Sequence, residues 1–129
     1  MKNYFKLSID AMGGDLAPQM TIEGVAQALA SLRQIEVIIF GDEKKISPHL
    51  EKVPPSLQSR IDIRHTKDAV SNDEKPGAAL RSGRNSSMRL AINAVANGET
   101  SGIISAGNTG ALMAMAKFVL KTLPGIDRP

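Results

Sequence analysis

The sequence predicts an α/β fold, a three-layer αβα sandwich built around a mainly parallel sheet. Apolar segments with strand character alternate along the chain with segments of helical spacing, which is the order that βαβ units require. The strand-like segments are largely apolar, as expected where helices cover both faces of a sheet. The 129 residues suffice for one domain, and a 42% hydrophobic content suffices for a packed core.

The first half of the chain supplies three strands and one long helix. Residues 6–11, 35–41 and 61–65 are the strand-like segments. Between the first two, Pro18 is well placed to open a helix. Residues 43–59 contain three prolines, which allow short helical turns but no long helix. The apolar residues of the long helix recur at helical spacing and are Ile22, Val25, Ala26, Leu29 and Leu32.

The second half begins with a polar loop at residues 66–75, after which Pro76 opens a short helix that Gly83 closes. Ser86 or Ser87 then caps a further helix. The apolar stripe of that helix consists of Met88, Ala91, Ile92 and Val95, and Gly98 ends it.

Residues 101–106 form the fourth predicted strand, and residues 109–122 form the final helix. Because only Lys117 and Lys121 interrupt the apolar surface of this helix, we expect it to be buried on most sides. The chain then ends in the turn-rich stretch "LPGIDRP" with no closing element, which suggests a protein cut off before its end.

Composition excludes several classes of function. The chain has no cysteine, which rules out disulfides, a thiol nucleophile and zinc–cysteine sites. A net charge of +3 and 3% aromatic residues argue against nucleic-acid binding. No apolar run approaches the roughly 20 residues of a membrane span. The N-terminal segment lacks the apolar core of a signal peptide, so we expect a soluble, cytoplasmic protein.

The stretch "SAGNTG" (105–110) leads from a strand directly into a helix. Helix N-termini leave backbone N–H groups unpaired and carry partial positive charge, and glycine lets a ligand approach the backbone. With short polar side chains at Ser105, Asn108 and Thr109, the stretch could hold a phosphate. The alternative is an ordinary strand-to-helix turn in which Asn108 or Thr109 is the N-cap.

The stretch "DAMGGD" (10–15) places Asp10 and Asp15 around Gly13 and Gly14. An acid at a strand end beside paired glycines suits the orientation of a ligand or of a basic side chain. A magnesium site is a weaker option, because no third carboxylate lies near in sequence. A tight turn with Asp15 supporting the next helix is the structural alternative.

The stretch "KPGAALRSGRNSSMR" (75–89) concentrates positive charge around a predicted helix start. Cations there oppose the helix dipole, and a bound anion would relieve the conflict. One interpretation is therefore a second anion site formed by Arg84, Ser86 and Ser87, and the other is a solvated basic face paired with acids elsewhere.

Together, "DAMGGD", the "KP" to "SSM" segment, "SAGNTGALMA" and "LPGIDRP" resemble, in order and spacing, the PlsX family of phosphate acyltransferases. The resemblance runs from about Ser8 to Pro129. It implies a fold like that of isocitrate and isopropylmalate dehydrogenases. It also implies an enzyme that moves a fatty acyl group from acyl-acyl carrier protein to inorganic phosphate, giving acyl phosphate for phospholipid synthesis.

The resemblance further implies homodimers, peripheral membrane association, and neither metal nor organic cofactor. It assigns Gly107, Asn108, Thr109 and Gly110 to phosphate contact, with Asn108 and Asp10 as the catalytic candidates. We expect Asp10 and Asp15 to order the site, and Asp127 and Arg128 to do the same. The remaining residues predicted to bind substrate or phosphate are Ser105, Gly13, Gly14, Lys75, Arg84, Ser86 and Ser87.

Members of this family are much longer, so residues 1–129 are expected to be the N-terminal portion of a single α/β enzyme. The absent part would complete the sheet and carry the dimer and membrane contacts, and this chain alone would have little activity. Two alternatives stay open at this point. One is a phosphotransacetylase-like enzyme acting on a coenzyme A thioester, and the other is a non-catalytic anion-binding module.

Overall fold

The computed structural model describes residues 4–127 as four parallel strands with helices on both faces. The strand order is β3-β2-β1-β4, so β1 lies between β2 and β4. Leu7 of β1 pairs with Val37 on one side and with Gly102 on the other. The strands are β1 (Phe5–Asp10), β2 (Ile35–Gly41), β3 (Ile61–His65) and β4 (Gly102–Ile104).

Two strands match their predicted bounds, and β4 is shorter than predicted. The predicted fourth strand covered residues 101–106, but the pairing stops at Ile104. Directly after this point, the Ser105 hydroxyl donates to a carboxylate on β1 and accepts from the backbone N–H of Gly107.

The helices also follow their sequence signals. Pro18 lies at the N-cap of α1, one position before the first helical residue. Ser86 is the N-cap of α5, where its hydroxyl accepts from the backbone N–H of Arg89 at 3.2 Å. Gly98 follows the end of α5 with a φ of +79°, a conformation that glycine adopts without strain. The helices are α1 (Gln19–Ser31), α2 (Glu43–Leu50), α3 (Pro55–Gln58), α4 (Pro76–Ser82), α5 (Ser87–Ala96) and α6 (Thr109–Val119).

The two faces of the sheet bury different helices. Ile9, Val37 and Ile39 point to one face, where the core includes Ile22 and Leu29 of α1 and is completed by α2. The other face carries Ile38 and Phe40 against Ala91 and Ala94 of α5. Helix α6 packs against both α4 and α5. This arrangement is consistent with a three-layer sandwich, as predicted.

The expectation that α6 is buried on most sides is wrong. Ala111 and Met115 are buried, but Met113 is exposed and Phe118 is 62% exposed. The helix packs through one face on α4 and α5, whereas Met113, Lys117 and Phe118 are exposed. In the same part of the chain, no helix is long and apolar enough to cross a bilayer.

Candidate functional site

The candidate site lies at the carboxyl ends of β1 and β4. Strands β2 and β3 are added to one side of β1, whereas β4 is added to the other, so the direction of strand addition reverses between β1 and β4. The loops that follow two such strands diverge and leave a crevice, which is where ligands of open parallel sheets bind. The two glycine-containing loops of the sequence follow these two strands and therefore lie side by side at this edge of the sheet.

Asp10, the last residue of β1, is the centre of this site and is only 2% exposed. Its Oδ1 accepts from the Ser87 hydroxyl at 2.6 Å and from the Met12 backbone N–H at 3.1 Å. Its Oδ2 accepts from the Ser105 hydroxyl at 2.8 Å. Three donors thus compensate for the burial of a carboxylate, which would otherwise be strongly unfavourable. The carboxylate joins β1, α5 and the loop after β4.

Ser105 connects the Asp10 carboxylate to the glycine loop before α6. While its hydroxyl donates to Asp10, the same oxygen accepts from the Gly107 backbone N–H at 3.1 Å. The position of the loop before α6 is therefore fixed by a carboxylate on the neighbouring strand. Asp10 holds the loop and does not point into open solvent, so the geometry favours a positioning role for it.

The two glycine loops touch through their backbones. A Cβ on Gly13 would lie 2.8 Å from Asp10 Oδ2 and 2.8 Å from the Gly107 nitrogen. A Cβ on Gly107 would lie 3.1 Å from the Gly13 Cα. Neither loop could come this close with a side chain at these positions. Gly14 also has a φ of +101°, which L-residues rarely adopt.

Asn108 is the N-cap of α6, as the alternative interpretation of the sequence proposed. Its Oδ1 accepts from the Ala111 backbone N–H at 3.1 Å. Its Nδ2 donates to the Glu74 carbonyl at 2.7 Å and to the Ser71 carbonyl at 3.1 Å. Both ends of the amide thus bind protein groups, which gives Asn108 a positioning role. Its predicted role in catalysis stays a prediction.

The first turn of α6 keeps two backbone donors open. Within residues 4–127, the N–H groups of Thr109 and Gly110 make no backbone hydrogen bond outside the helix. A Cβ on Gly110 would lie 2.8 Å from Pro76 Cγ, so glycine is needed where the start of α4 meets α6. Unpaired N–H groups at the N-terminus of a helix form a favourable position for an anion.

A third loop completes the crevice and comprises residues 66–75, of which only Lys75 is a predicted site residue. Asn72 Nδ2 donates to Asp15 Oδ1 at 2.8 Å, and Asn108 binds two carbonyls of the same loop. The only signal in the sequence is its position, because it follows β3 at the same edge of the sheet. A cleft of about 270 Å³ separates it from the first loop and is lined by Met12, Gly14, Ala69, Val70, Ser71 and Asn72.

The predicted second anion site is divided between two places. Ser86 and Ser87 are each 1% exposed, and their hydroxyls donate to the Gly83 carbonyl and to Asp10 respectively. Arg84 is exposed and lines a different cleft, on the outer side of the helices. Lys75 is exposed at the start of α4. The roles of these four residues toward a substrate stay predictions.

Two predicted residues lie at the end of the chain. Asp127 is exposed, and Arg128 lies outside the described residues. The structure thus brings together Asp10, Gly13, Ser105 and Gly107 by direct contact, with Asn108 adjoining them.

Comparison with known proteins gives a consistent result. Residues 5–129 match the family described as fatty acid synthesis protein. The phosphate acyltransferase of Rhodospirillum centenum is 57% identical over 129 residues, which are 100% of this chain and 36% of that protein. Those of Rhodospirillum rubrum and Shewanella amazonensis are 53% and 52% identical, over 100% and 95% of the chain and 37% and 36% of their own lengths. The chain therefore spans little more than a third of the curated relatives it matches.

Proposed function

The chain belongs to the fatty acid synthesis protein family, and on that premise we propose that the protein containing it is a phosphate acyltransferase. The reaction transfers a fatty acyl group from acyl-acyl carrier protein to inorganic phosphate, and the acyl phosphate enters phospholipid synthesis. The observation that carries the proposal is the contact chain Asp10–Ser105–Gly107, which fixes a glycine loop before the open N-terminus of α6.

The chemistry requires the protein to hold an anionic nucleophile against a carbonyl. A phosphate oxygen attacks the thioester carbon, the C–O bond forms, the C–S bond breaks, and the leaving thiolate takes up a proton. The open N–H groups of Thr109 and Gly110 are suited to phosphate oxygens, which the dipole of α6 also favours. Donors held in place before the reaction begins stabilise the charge that develops in the transition state.

The site residues divide by what they contact. Asp10 and Ser105 position the loop, and the contact between Gly13 and Gly107 leaves the backbone open to a ligand. Asn108 joins α6 to the third loop. By resemblance to the family, the further residues assigned to ordering the site or positioning the anionic substrate are Gly14, Asp15, Lys75, Arg84, Ser86, Ser87, Asp127 and Arg128.

The family also suggests features that extend beyond this chain. We infer a fold of the isocitrate and isopropylmalate dehydrogenase type, a homodimer, and peripheral association with the membrane in the longer protein. Because the chain spans about 36% of its relatives, we expect residues 1–129 alone to have little or no transferase activity. Robust acyl phosphate formation by the 129-residue chain would contradict this expectation.

Ser105→Ala in the intact protein tests the proposal, with acyl phosphate formation from the carrier-protein thioester as the readout. The substitution removes a charge-assisted hydrogen bond and releases the Gly107 N–H, so we expect kcat/KM to fall about tenfold or more. Ser101→Ala is the matched control, because Ser101 is exposed and lies before the short strand β4. Equal activities of the two variants would remove the support for the site.

The same assay with a coenzyme A thioester distinguishes the two acyl donors. We expect the carrier-protein thioester to be used with the higher kcat/KM. A preference for the coenzyme A thioester would favour the phosphotransacetylase-like reaction. Phosphate binding by the intact protein without turnover of either donor would leave an anion-binding module.

A further inference from the structure

A second cleft lies on the outer side of the helical layer formed by α4, α5 and α6. Its volume is about 550 Å³, within the range of small-molecule sites, which run from about 300 to 1,000 Å³. It shares no lining residue with the cleft between the first and third loops. We call it the arginine cleft, and it is lined by Leu80, Arg81, Arg84, Arg89, Asn93 and Phe118.

The charge of the arginine cleft is unbalanced. Three guanidinium groups line it and no carboxylate does. The ion pairs within residues 4–127 are Lys6–Glu36 and Arg64–Glu99, so none of the three arginines is neutralised in that part of the chain. Arg84 and Arg89 also flank the N-terminus of α5, where the helix dipole disfavours positive charge. An anion in the cleft would relieve both conflicts.

Arg89 is held in a defined orientation before any ligand binds. Its Nε donates to Asn93 Oδ1 at 3.3 Å, one turn along α5. Its guanidinium carbon lies 5.4 Å from the centre of the Phe118 ring, within the distance of a cation–π contact. A guanidinium fixed through Nε presents its terminal N–H groups together, the geometry that binds two oxygens of one phosphate.

The apolar part of the lining indicates what accompanies the anion. Phe118 is 62% exposed, and it lines the cleft together with Leu80 and the three arginines. We propose that the arginine cleft binds a small organic phosphate, whose phosphate group meets Arg81, Arg84 and Arg89 and whose apolar portion packs on Phe118. This site is separate from the glycine loop to which the proposed function assigns inorganic phosphate.

Calorimetric titration of the intact protein tests the proposal with three probes. Phenyl phosphate carries both recognition elements, inorganic phosphate carries one, and benzyl alcohol carries only the ring. We expect phenyl phosphate to bind about two- to tenfold more tightly than inorganic phosphate, the effect of one aromatic contact, and benzyl alcohol not to bind. Equal affinities for phenyl phosphate and inorganic phosphate would overturn the assignment of Phe118.

Three variants locate the binding. Arg84→Gln should weaken phenyl phosphate by about tenfold, because it removes a charge-assisted contact. Phe118→Ala should abolish the advantage of phenyl phosphate while phosphate binding persists. Arg33→Gln is the matched control, since Arg33 is exposed after α1 and lies outside the cleft, and it should change neither affinity. An Arg84→Gln variant indistinguishable from Arg33→Gln would overturn the proposal.

The Ser105→Ala variant separates this proposal from the proposed function. It should leave phenyl phosphate binding unchanged, because Ser105 does not line the arginine cleft. If it abolished that binding while Arg84→Gln did not, phenyl phosphate would occupy the glycine loop and the arginine cleft would be refuted, with the acyltransferase assignment intact.

The same organic-phosphate chemistry has two sources, a phosphate-bearing arm of the acyl donor and a free metabolite. The KM for the acyl donor distinguishes them in the assay of acyl phosphate formation, with Arg81→Gln as the variant because Arg81 lines the cleft and has no part in the proposed acyltransferase site. If the donor supplies the phosphate, Arg81→Gln raises the KM for the acyl donor. If a free organic phosphate is the ligand, the KM of Arg81→Gln equals that of the parent, and added phenyl phosphate changes the activity of the parent alone.

Discussion

Replacing Asp10 by Asn tests whether a buried charge organises the candidate site. The two side chains have nearly the same shape, so the substitution removes the charge and one acceptor without leaving a cavity. The carboxylate accepts three hydrogen bonds, from Ser87, Met12 and Ser105. In the variant, the amide nitrogen that replaces Oδ2 must donate to Ser105, whose own hydroxyl proton then loses its acceptor.

The expected loss of unfolding free energy in Asp10→Asn follows from these hydrogen bonds. A hydrogen bond to a charged group contributes about 1.5–3 kcal/mol and a neutral one about 0.5–1.5 kcal/mol, so each retained bond loses roughly 1 kcal/mol. Two weakened bonds and one lost acceptor give about 3 kcal/mol, from which the easier burial of a neutral amide must be subtracted. We therefore expect the free energy of unfolding to fall by about 2 kcal/mol.

Urea denaturation at constant m-value measures this change, and Asp62→Asn is the control because Asp62 is an exposed carboxylate on β3. A double-mutant cycle of Asp10→Asn and Ser105→Ala then isolates the interaction between these two side chains, and we expect a coupling energy of about 1–2 kcal/mol. If Asp10→Asn stayed within about 0.5 kcal/mol of the parent, the ordinary range of surface substitutions, a charged centre for the site would be refuted.

Three further predictions concern the packing at Gly13, the helix cap at Asn108 and the hydrogen bonds of Arg60. Gly13→Ala should lower the free energy of unfolding by about 1–3 kcal/mol and lower turnover, because the new methyl would lie 2.8 Å from Asp10 Oδ2. Gly24→Ala in α1 is the control and should raise the free energy of unfolding by about 0.5–1 kcal/mol, because a Cβ there would meet nothing within 4 Å. A lower melting temperature for Gly24→Ala than for Gly13→Ala would contradict the loop contact. Asn108→Ala should lower the free energy of unfolding by about 1 kcal/mol through loss of the helix cap, and it should lower turnover in the acyl phosphate assay by more than that energy accounts for. Unchanged turnover would remove the assignment of Asn108 to the site. Arg60→Lys should lower the free energy of unfolding, measured by urea denaturation, by about 1–2 kcal/mol. The guanidinium of Arg60 donates to the carbonyls of Leu29 and Ile35, and an ammonium cannot span both. A stability equal to that of the parent would show that these two hydrogen bonds do not require a guanidinium.

Local signals in the sequence predicted most of the fold. The helix boundaries at Pro76, Ser86 and Gly98 depend on the chemistry of single residues, and the structure places them as expected. The meeting of the two glycine loops was predictable as well, because parallel strands end at one edge of the sheet. These features needed no knowledge of which side chains touch.

Features that depend on packing were not predictable. The apolar surface of α6 suggested burial, but composition cannot show which neighbours cover a helix, and Phe118 is exposed. The hydrogen bond from the Ser87 hydroxyl to Asp10 depends on the placement of α5 over β1, which no local signal indicates, and the predicted role of Ser87 toward an anion stays a prediction. The third loop contacts Asn108 through the backbone carbonyls of Ser71 and Glu74, which any residue type would supply, so these two contacts have no side-chain signal in the sequence.

The Asp10 contacts also order events during synthesis of the chain. The hydrogen bond from Ser105 joins residues 95 positions apart, and the bond from Ser87 joins residues 77 apart. Strands β1 and β2 are separated by one helix, so they can pair while the ribosome is still making the later segments. The loop before α6 can be fixed only after β4 has emerged and closed a much longer loop. In a nascent chain that ends before Ser105, β1 and β2 can thus be paired while the Asp10 carboxylate still lacks its hydrogen bond from Ser105, so the candidate site forms after this part of the sheet.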